Sequence, residues 1–135
     1  MHITLKMDNT VEQLFKTNPI FVGCVKSLAV FERKFEQWLN DRYSKNSLEQ
    51  IIVKNDFNNF VHLSDKNEVF KPVNAAKSIK EIHQKYKTNE MFFQLANEKL
   101  QLLDIYHFES NKVYSQYGFQ HTTKLIYDLQ TYYKN

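Results

Sequence analysis

The sequence predicts an all-α fold, and three observations support that prediction. Glycine and proline together account for four of the 135 residues, whereas the two usually make up roughly 12% of a chain. Phosphate-binding loops and many-stranded sheets need glycine at their tight turns, so both are excluded. Apolar residues recur at helical spacing in most segments, and the length suits one domain. We therefore expect a single domain over residues 1–135, a bundle of about five or six helices around a long central helix at about 20–43.

The N-terminal segment opens with alternating apolar residues at Ile3, Leu5 and Met7. This alternation is typical of a short extended stretch, which cannot form a sheet alone. Capping oxygens at residues 8–10 then precede a short first helix. That helix should end before Pro19, because the residue preceding a proline avoids the α conformation.

The long central helix has the clearest periodicity in the chain. Pro19 suits its first turn, where the missing N–H has no helical partner. One side carries apolar residues at offsets of three and four: Phe21, Cys24, Val25, Leu28, Phe31, Phe35, Trp38 and Leu39. Gly23 lies inside this helix at a cost of about 1 kcal/mol relative to alanine. We interpret that glycine as the point where a neighbouring helix approaches closely.

The middle of the chain contains a capped helix followed by a loop. Ser47 and Gln50 form a capping-box pattern at the start of the helix. Asparagines between residues 55 and 59 weaken helical propensity, so the pattern fits either one helix or two short ones. Residues 64–73 are the most loop-like stretch and include Pro72.

The last half of the chain predicts three more helices. Asn74 is a candidate cap for a helix that reaches Tyr86, and a new cap near residues 88–90 starts another helix with a wide apolar face. Asn111 either interrupts that helix or lies on its exposed side. Gly118 should end or bend it before a final helix.

No motif of a known catalytic site, metal site or cofactor site emerges from the sequence. Cys24, the only cysteine, falls on the apolar face of the central helix, where it is expected to act as a small core residue. Asp104 and His107 share one helix face, but a dimetal bundle needs a second such pair. We therefore expect no enzyme activity, no metal and no cofactor, although a site assembled from residues distant in sequence stays open.

The expected compartment is the cytoplasm, without a membrane span. A lone cysteine forms no disulfide within the chain, and a free thiol suits a reducing compartment. No stretch approaches the roughly 18 uninterrupted apolar residues that a membrane-spanning helix needs.

Charge is distributed unevenly along the second half of the chain. Residues 71–87 carry five lysines against a single acid, and residues 88–110 carry four acids against a single lysine. The two blocks could pair with each other in a helical hairpin, or one block could meet a partner of opposite charge. Seven of the eight tyrosines also lie in the last 50 residues, and tyrosine is enriched in protein interfaces.

These asymmetries favour a non-catalytic protein that binds another protein, such as an immunity protein, antitoxin or inhibitor of a toxin or nuclease. The expected partner-binding residues are the acids and two of the tyrosines: Glu90, Glu98, Asp104, Glu109, Tyr114 and Tyr117. The alternative is a nucleic-acid-associated protein whose lysines contact phosphates: Lys71, Lys77, Lys80, Lys85 and Lys87. Self-association is compatible with either interpretation.

Overall fold

The structure, a computed structural model, describes residues 9–67 and 78–134, and most of these residues are helical. Six helices occur in these ranges: α1 (Asn9–Thr17), α2 (Pro19–Arg42), α3 (Leu48–Ser64), α4 (Ile79–Lys85), α5 (Glu90–Tyr117) and α6 (Phe119–Lys134). The predicted all-α helical bundle is therefore confirmed. The predicted extended segment before residue 9 lies outside the described residues.

The chain divides into two compact units. One unit, called here the terminal unit, comprises residues 1–30 and 105–135, and the other, the central unit, comprises residues 31–104. The long helices α2 and α5 each contribute one part to each unit. Each unit has an apolar core of its own.

The terminal unit contains α1 packed against α6, together with the first part of α2 and the last part of α5. Its core is aliphatic apart from one phenylalanine: Val11, Leu14, Phe21, Val22, Val25, Val113, Leu125, Ile126 and Leu129. A single residue, Asn18, separates α1 from α2, and the axes of the two helices differ by 109°. The predicted end of α1 before Pro19 is confirmed, since the residue preceding a proline avoids the α conformation.

The central unit contains the rest of α2 and α5, with α3 packed against α4. Aromatic rings fill its core, and the rings of Phe35 and Phe57 stack with their centroids 4.2 Å apart. Helix α3 is continuous from Leu48 to Ser64, so the alternative of two short helices is wrong. Its Phe57 and Phe60 are buried in the core while Asn55 and Asn58 are exposed, and this packing outweighs the weak propensity of asparagine.

The caps predicted at Ser47 and near residues 88–90 are confirmed. The Ser47 hydroxyl accepts the Gln50 N–H at 3.1 Å, and the Asn89 side chain accepts the Phe92 N–H at 3.3 Å. The predicted cap at Asn74 lies outside the described residues. Helix α4 begins instead at Ile79, and Ser78 is its N-cap. The backbone of Ser78 is extended, and its hydroxyl accepts a hydrogen bond from the Glu81 N–H.

The glycines behave differently from each other. Gly118 has φ +81° and separates α5 from α6, so the predicted helix end is confirmed. Gly23 is exposed, and a Cβ built on it would have no atom of the described residues within 4 Å. The predicted close approach of a neighbouring helix at Gly23 is therefore wrong for the six helices that the structure describes. Asn111 is exposed on an uninterrupted α5.

Within residues 9–67 and 78–134, no single helix is both long enough and apolar enough to cross a membrane. Only the strongly bent pair of α1 and α2 reaches that length and apolarity together.

Candidate functional site

The four acids proposed from the sequence all lie on α5, but they have different surroundings. Glu98 forms an ion pair with Lys34 at 2.8 Å, and Glu109 is buried with its carboxylate 3.2 Å from the amine of Lys112. The carboxylate of Asp104 accepts a hydrogen bond from the amide of Asn67 at 3.0 Å. Glu90 is exposed in the first turn of α5. Two of the four carboxylates are thus already paired within the chain.

The structure describes three of the five lysines that the sequence suggests as phosphate contacts. Lys71 and Lys77 lie outside the described residues, whereas Lys80, Lys85 and Lys87 are exposed on and just after α4. The amine of Lys85 is 2.8 Å from a carboxylate oxygen of Asp56 on α3. Among the ion pairs described for the two charged blocks, Lys85 pairs with α3 and Glu98 with α2, whereas Glu109 pairs with Lys112 of α5 itself.

A buried polar cluster that the sequence did not predict joins α3 to α4. The same Asp56 oxygen that faces Lys85 accepts a hydrogen bond from the Tyr86 hydroxyl at 2.6 Å. Burial, followed by this hydrogen bond and the negative charge of Asp56, raises the pKa of Tyr86 well above its ordinary value. The hydroxyl therefore stays protonated and donates to the carboxylate. A signal was present in the sequence, since Asp56 falls on the apolar side of α3 between Val53 and Phe60.

Cys24 is buried in the terminal unit, which confirms its prediction as a core residue. Burial first, and the nearby charge of Glu109 second, raise the pKa of its thiol. A thiol with a raised pKa is a poor nucleophile at neutral pH.

Asp104 and His107 have partners of their own: Asp104 bonds to Asn67, and the ring of His107 contacts the ring of Tyr106. Among the described residues, no three His, Cys, Asp or Glu side chains are grouped as metal ligands would be.

The two predicted tyrosines, Tyr114 and Tyr117, lie where α5 meets α6. The positive φ of Gly118 lets the chain pass from one helix to the next through a single residue. The ring of Phe119 then stacks on that of Tyr114 at 5.8 Å between centroids, and the ring of His121 lies 5.6 Å from that of Tyr117. We call Tyr114, Tyr117, Phe119, His121 and Lys124 the aromatic corner.

The aromatic corner is open to solvent. Phe119 is 65% exposed although it is a large apolar side chain. Beside it lies a shallow depression of about 630 Å³, lined by residues 117–121 and Lys124. Tyr114 and Tyr117 are half-buried, so each presents one part of its ring to the surface. Exposed aromatic groups of this kind are typical anchors of protein interfaces.

The electrostatics of the aromatic corner favour a negative group. It contains the N-terminus of α6, whose first turn carries no acid. The first hydrogen bond of α6 runs from the Thr122 N–H to the Gly118 carbonyl, which leaves the preceding N–H groups without helical acceptors. These groups give the helix N-terminus a partial positive charge. The mostly exposed amine of Lys124 is paired with Asp128 at 2.9 Å, so the helix N-terminus supplies the attraction for a negative group.

The sequence predicted the two tyrosines of the aromatic corner but missed Phe119, His121 and Lys124. Tyrosine composition identified the first two, whereas the others depend on how Gly118 joins the helices. The signal available was a glycine flanked by aromatic residues, Tyr117 and Phe119.

Neither a protein-family model, nor a curated protein, nor a solved structure matches this chain.

Proposed function

We propose that the protein acts by binding another protein through the aromatic corner, in the manner of an immunity protein, antitoxin or inhibitor. The observation that carries this proposal is the exposure of Phe119, whose ring is held in place by stacking on Tyr114. A pre-positioned aromatic ring loses little conformational entropy when a partner covers it. Burying one phenylalanine side chain contributes roughly 1.5–3 kcal/mol, which is the scale of an interface hot spot.

The chemistry around Phe119 defines the partner's surface. The N-terminus of α6 favours a carboxylate, while Phe119 and Tyr117 favour apolar contact. The matching segment of a partner therefore carries an acidic side chain beside an aliphatic or aromatic one. This differs from the expectation that the acids of α5 cover a basic partner, because Glu98 and Glu109 are engaged within the chain.

Photo-crosslinking in the native host tests this proposal with a matched pair of positions. A photoreactive phenylalanine analogue replaces Phe119 in one variant and Tyr127 in the other. Both side chains lie on α6 and are exposed to nearly the same extent, 65% and 67%. The proposal predicts a discrete protein adduct from position 119 and none from position 127. Equal labelling from both positions, or no protein adduct from either, would contradict it.

Nucleic-acid binding is the competing function, and the exposure of Lys80 and Lys87 favours it. The same crosslinking experiment separates the two functions, because an adduct with DNA or RNA disappears on nuclease treatment. A second readout is salt dependence: phosphate contacts make the logarithm of affinity fall linearly with the logarithm of salt concentration. A nuclease-sensitive adduct with such a slope would replace protein binding as the assigned function.

A further inference from the structure

A second exposed apolar feature lies in the middle of α5, away from the aromatic corner. Phe108 is 63% exposed, and Ile105, one turn earlier, is 43% exposed. Asp104, Asn111 and Lys112 are also exposed and surround these two side chains on the same side of the helix. We call these five residues the α5 outer face. Tyr117 is nine residues beyond Phe108, which at 100° per residue places it on the opposite side of α5.

The charges on the α5 outer face are arranged symmetrically about Phe108. Asp104 lies four residues before Phe108 and Lys112 four residues after it, so each is about 6 Å from it along the helix axis. The amine of Lys112 sits over the Phe108 ring, 4.6 Å from its centroid. Glu109 lies on another side of α5 and is buried. The face therefore carries one acid and one base at equal distances from its apolar centre.

We propose that the α5 outer face binds the same face of a second copy of this chain, in antiparallel orientation, with a two-fold axis at Phe108. A two-fold axis perpendicular to the helix brings each Asp104 to the level of Lys112 in the other copy. The two Phe108 rings meet at the axis and remove each other from water. The parallel arrangement would place Asp104 opposite Asp104 and Lys112 opposite Lys112, so the charges select the antiparallel one.

The expected dimer is weak and reversible. One helix face is smaller than the roughly 1,200–2,000 Å² that stable interfaces bury in total. The amine of Lys112 also has a partner in the single chain, Glu109 at 3.2 Å, so its pairing with Asp104 replaces an existing contact. Self-association through this face is independent of the proposed partner binding, because the two surfaces share no residue.

Sedimentation equilibrium with reciprocal charge reversal tests the proposal. Asp104→Lys alone and Lys112→Asp alone each place like charges opposite one another, and each should weaken the dimer at least tenfold. The double variant restores opposite charges and should recover most of the affinity. Leu48→Ser, at an exposed apolar position of the central unit, is the control and should leave the dissociation constant unchanged. A wild-type protein that is monomeric at all concentrations, or a double variant no better than the single ones, would overturn the proposal.

A crosslink gives a second readout that does not depend on the charged residues. Phe108→Cys places two thiols at the proposed two-fold axis, where mild oxidation should join the two copies quickly. Leu48→Cys is the matched control and should join them far more slowly. Circular dichroism confirms that each variant is folded. Equal crosslinking at positions 48 and 108 would contradict the antiparallel α5 contact.

Discussion

The two glycines of the chain are predicted to respond to alanine with opposite signs. Gly23 is exposed inside α2, and no atom within residues 9–67 and 78–134 lies within 4 Å of its Cβ position, so alanine adds no clash with them. Alanine in a helix interior is more favourable than glycine by about 1 kcal/mol, and Gly23→Ala should raise the free energy of unfolding by that amount. Gly118 has φ +81°, a conformation that costs an L-residue about 1–2 kcal/mol. Gly118→Ala should therefore lower the free energy of unfolding.

Urea unfolding at 25 °C, followed by circular dichroism, measures both effects. The urea concentration at the unfolding midpoint should rise for Gly23→Ala and fall for Gly118→Ala. The slope of the free energy of unfolding against urea concentration should equal that of the wild type. Gly118→Asn is the matched control, because asparagine tolerates positive φ better than alanine does and should cost less. A loss of stability in Gly23→Ala would show that a neighbour does occupy the space beside α2. A Gly118→Ala variant with the same free energy of unfolding as the wild type would refute the left-handed backbone conformation at the junction of α5 and α6.

Three further predictions concern buried groups. Asp56→Ala should lower the free energy of unfolding by about 1–3 kcal/mol in urea titration, because the buried Tyr86 hydroxyl loses its acceptor; an unchanged midpoint would refute the buried contact. Because the folded state raises the pKa of Tyr86, its stabilising contribution is complete below pH 10, the ordinary tyrosine value, and is lost as pH rises beyond it. Between pH 10 and 12 the wild type should thus lose stability more steeply than Tyr86→Phe; parallel pH profiles would contradict this. The raised pKa of the buried Cys24 thiol predicts that a thiol reagent at pH 8 reacts far more slowly with the folded protein than with the urea-unfolded chain; equal rates would show that Cys24 is accessible.

The sequence predicted those parts of the fold that local periodicity and capping determine. The central helix is expected at about 20–43 and is observed at Pro19–Arg42. The apolar spacing identifies the face of this helix that is buried, and Pro19 marks where the helix starts. The cap at Ser47 and the break at Gly118 also follow from local chemistry.

What the sequence could not predict depends on tertiary contacts. Periodicity shows that Gly23 is helical but not whether a neighbour covers it, and the structure leaves it exposed. Local sequence shows only that Asp56 has a low helical propensity, because its hydrogen-bond partner Tyr86 is 30 residues away. The position of Phe119 beside Tyr114 follows from the path of the chain through Gly118, which periodicity within either helix does not determine.

The central claim, that the aromatic corner binds a protein partner, is tested most directly by one affinity comparison. The partner recovered by crosslinking at position 119 is purified, and its dissociation constant is measured with wild type, Phe119→Ser and Tyr127→Ser. Loss of a hot-spot aromatic ring should weaken binding at least tenfold for Phe119→Ser, whereas Tyr127→Ser should stay within about twofold of the wild type. Equal affinities for all three proteins, or a larger loss for Tyr127→Ser, would contradict the account.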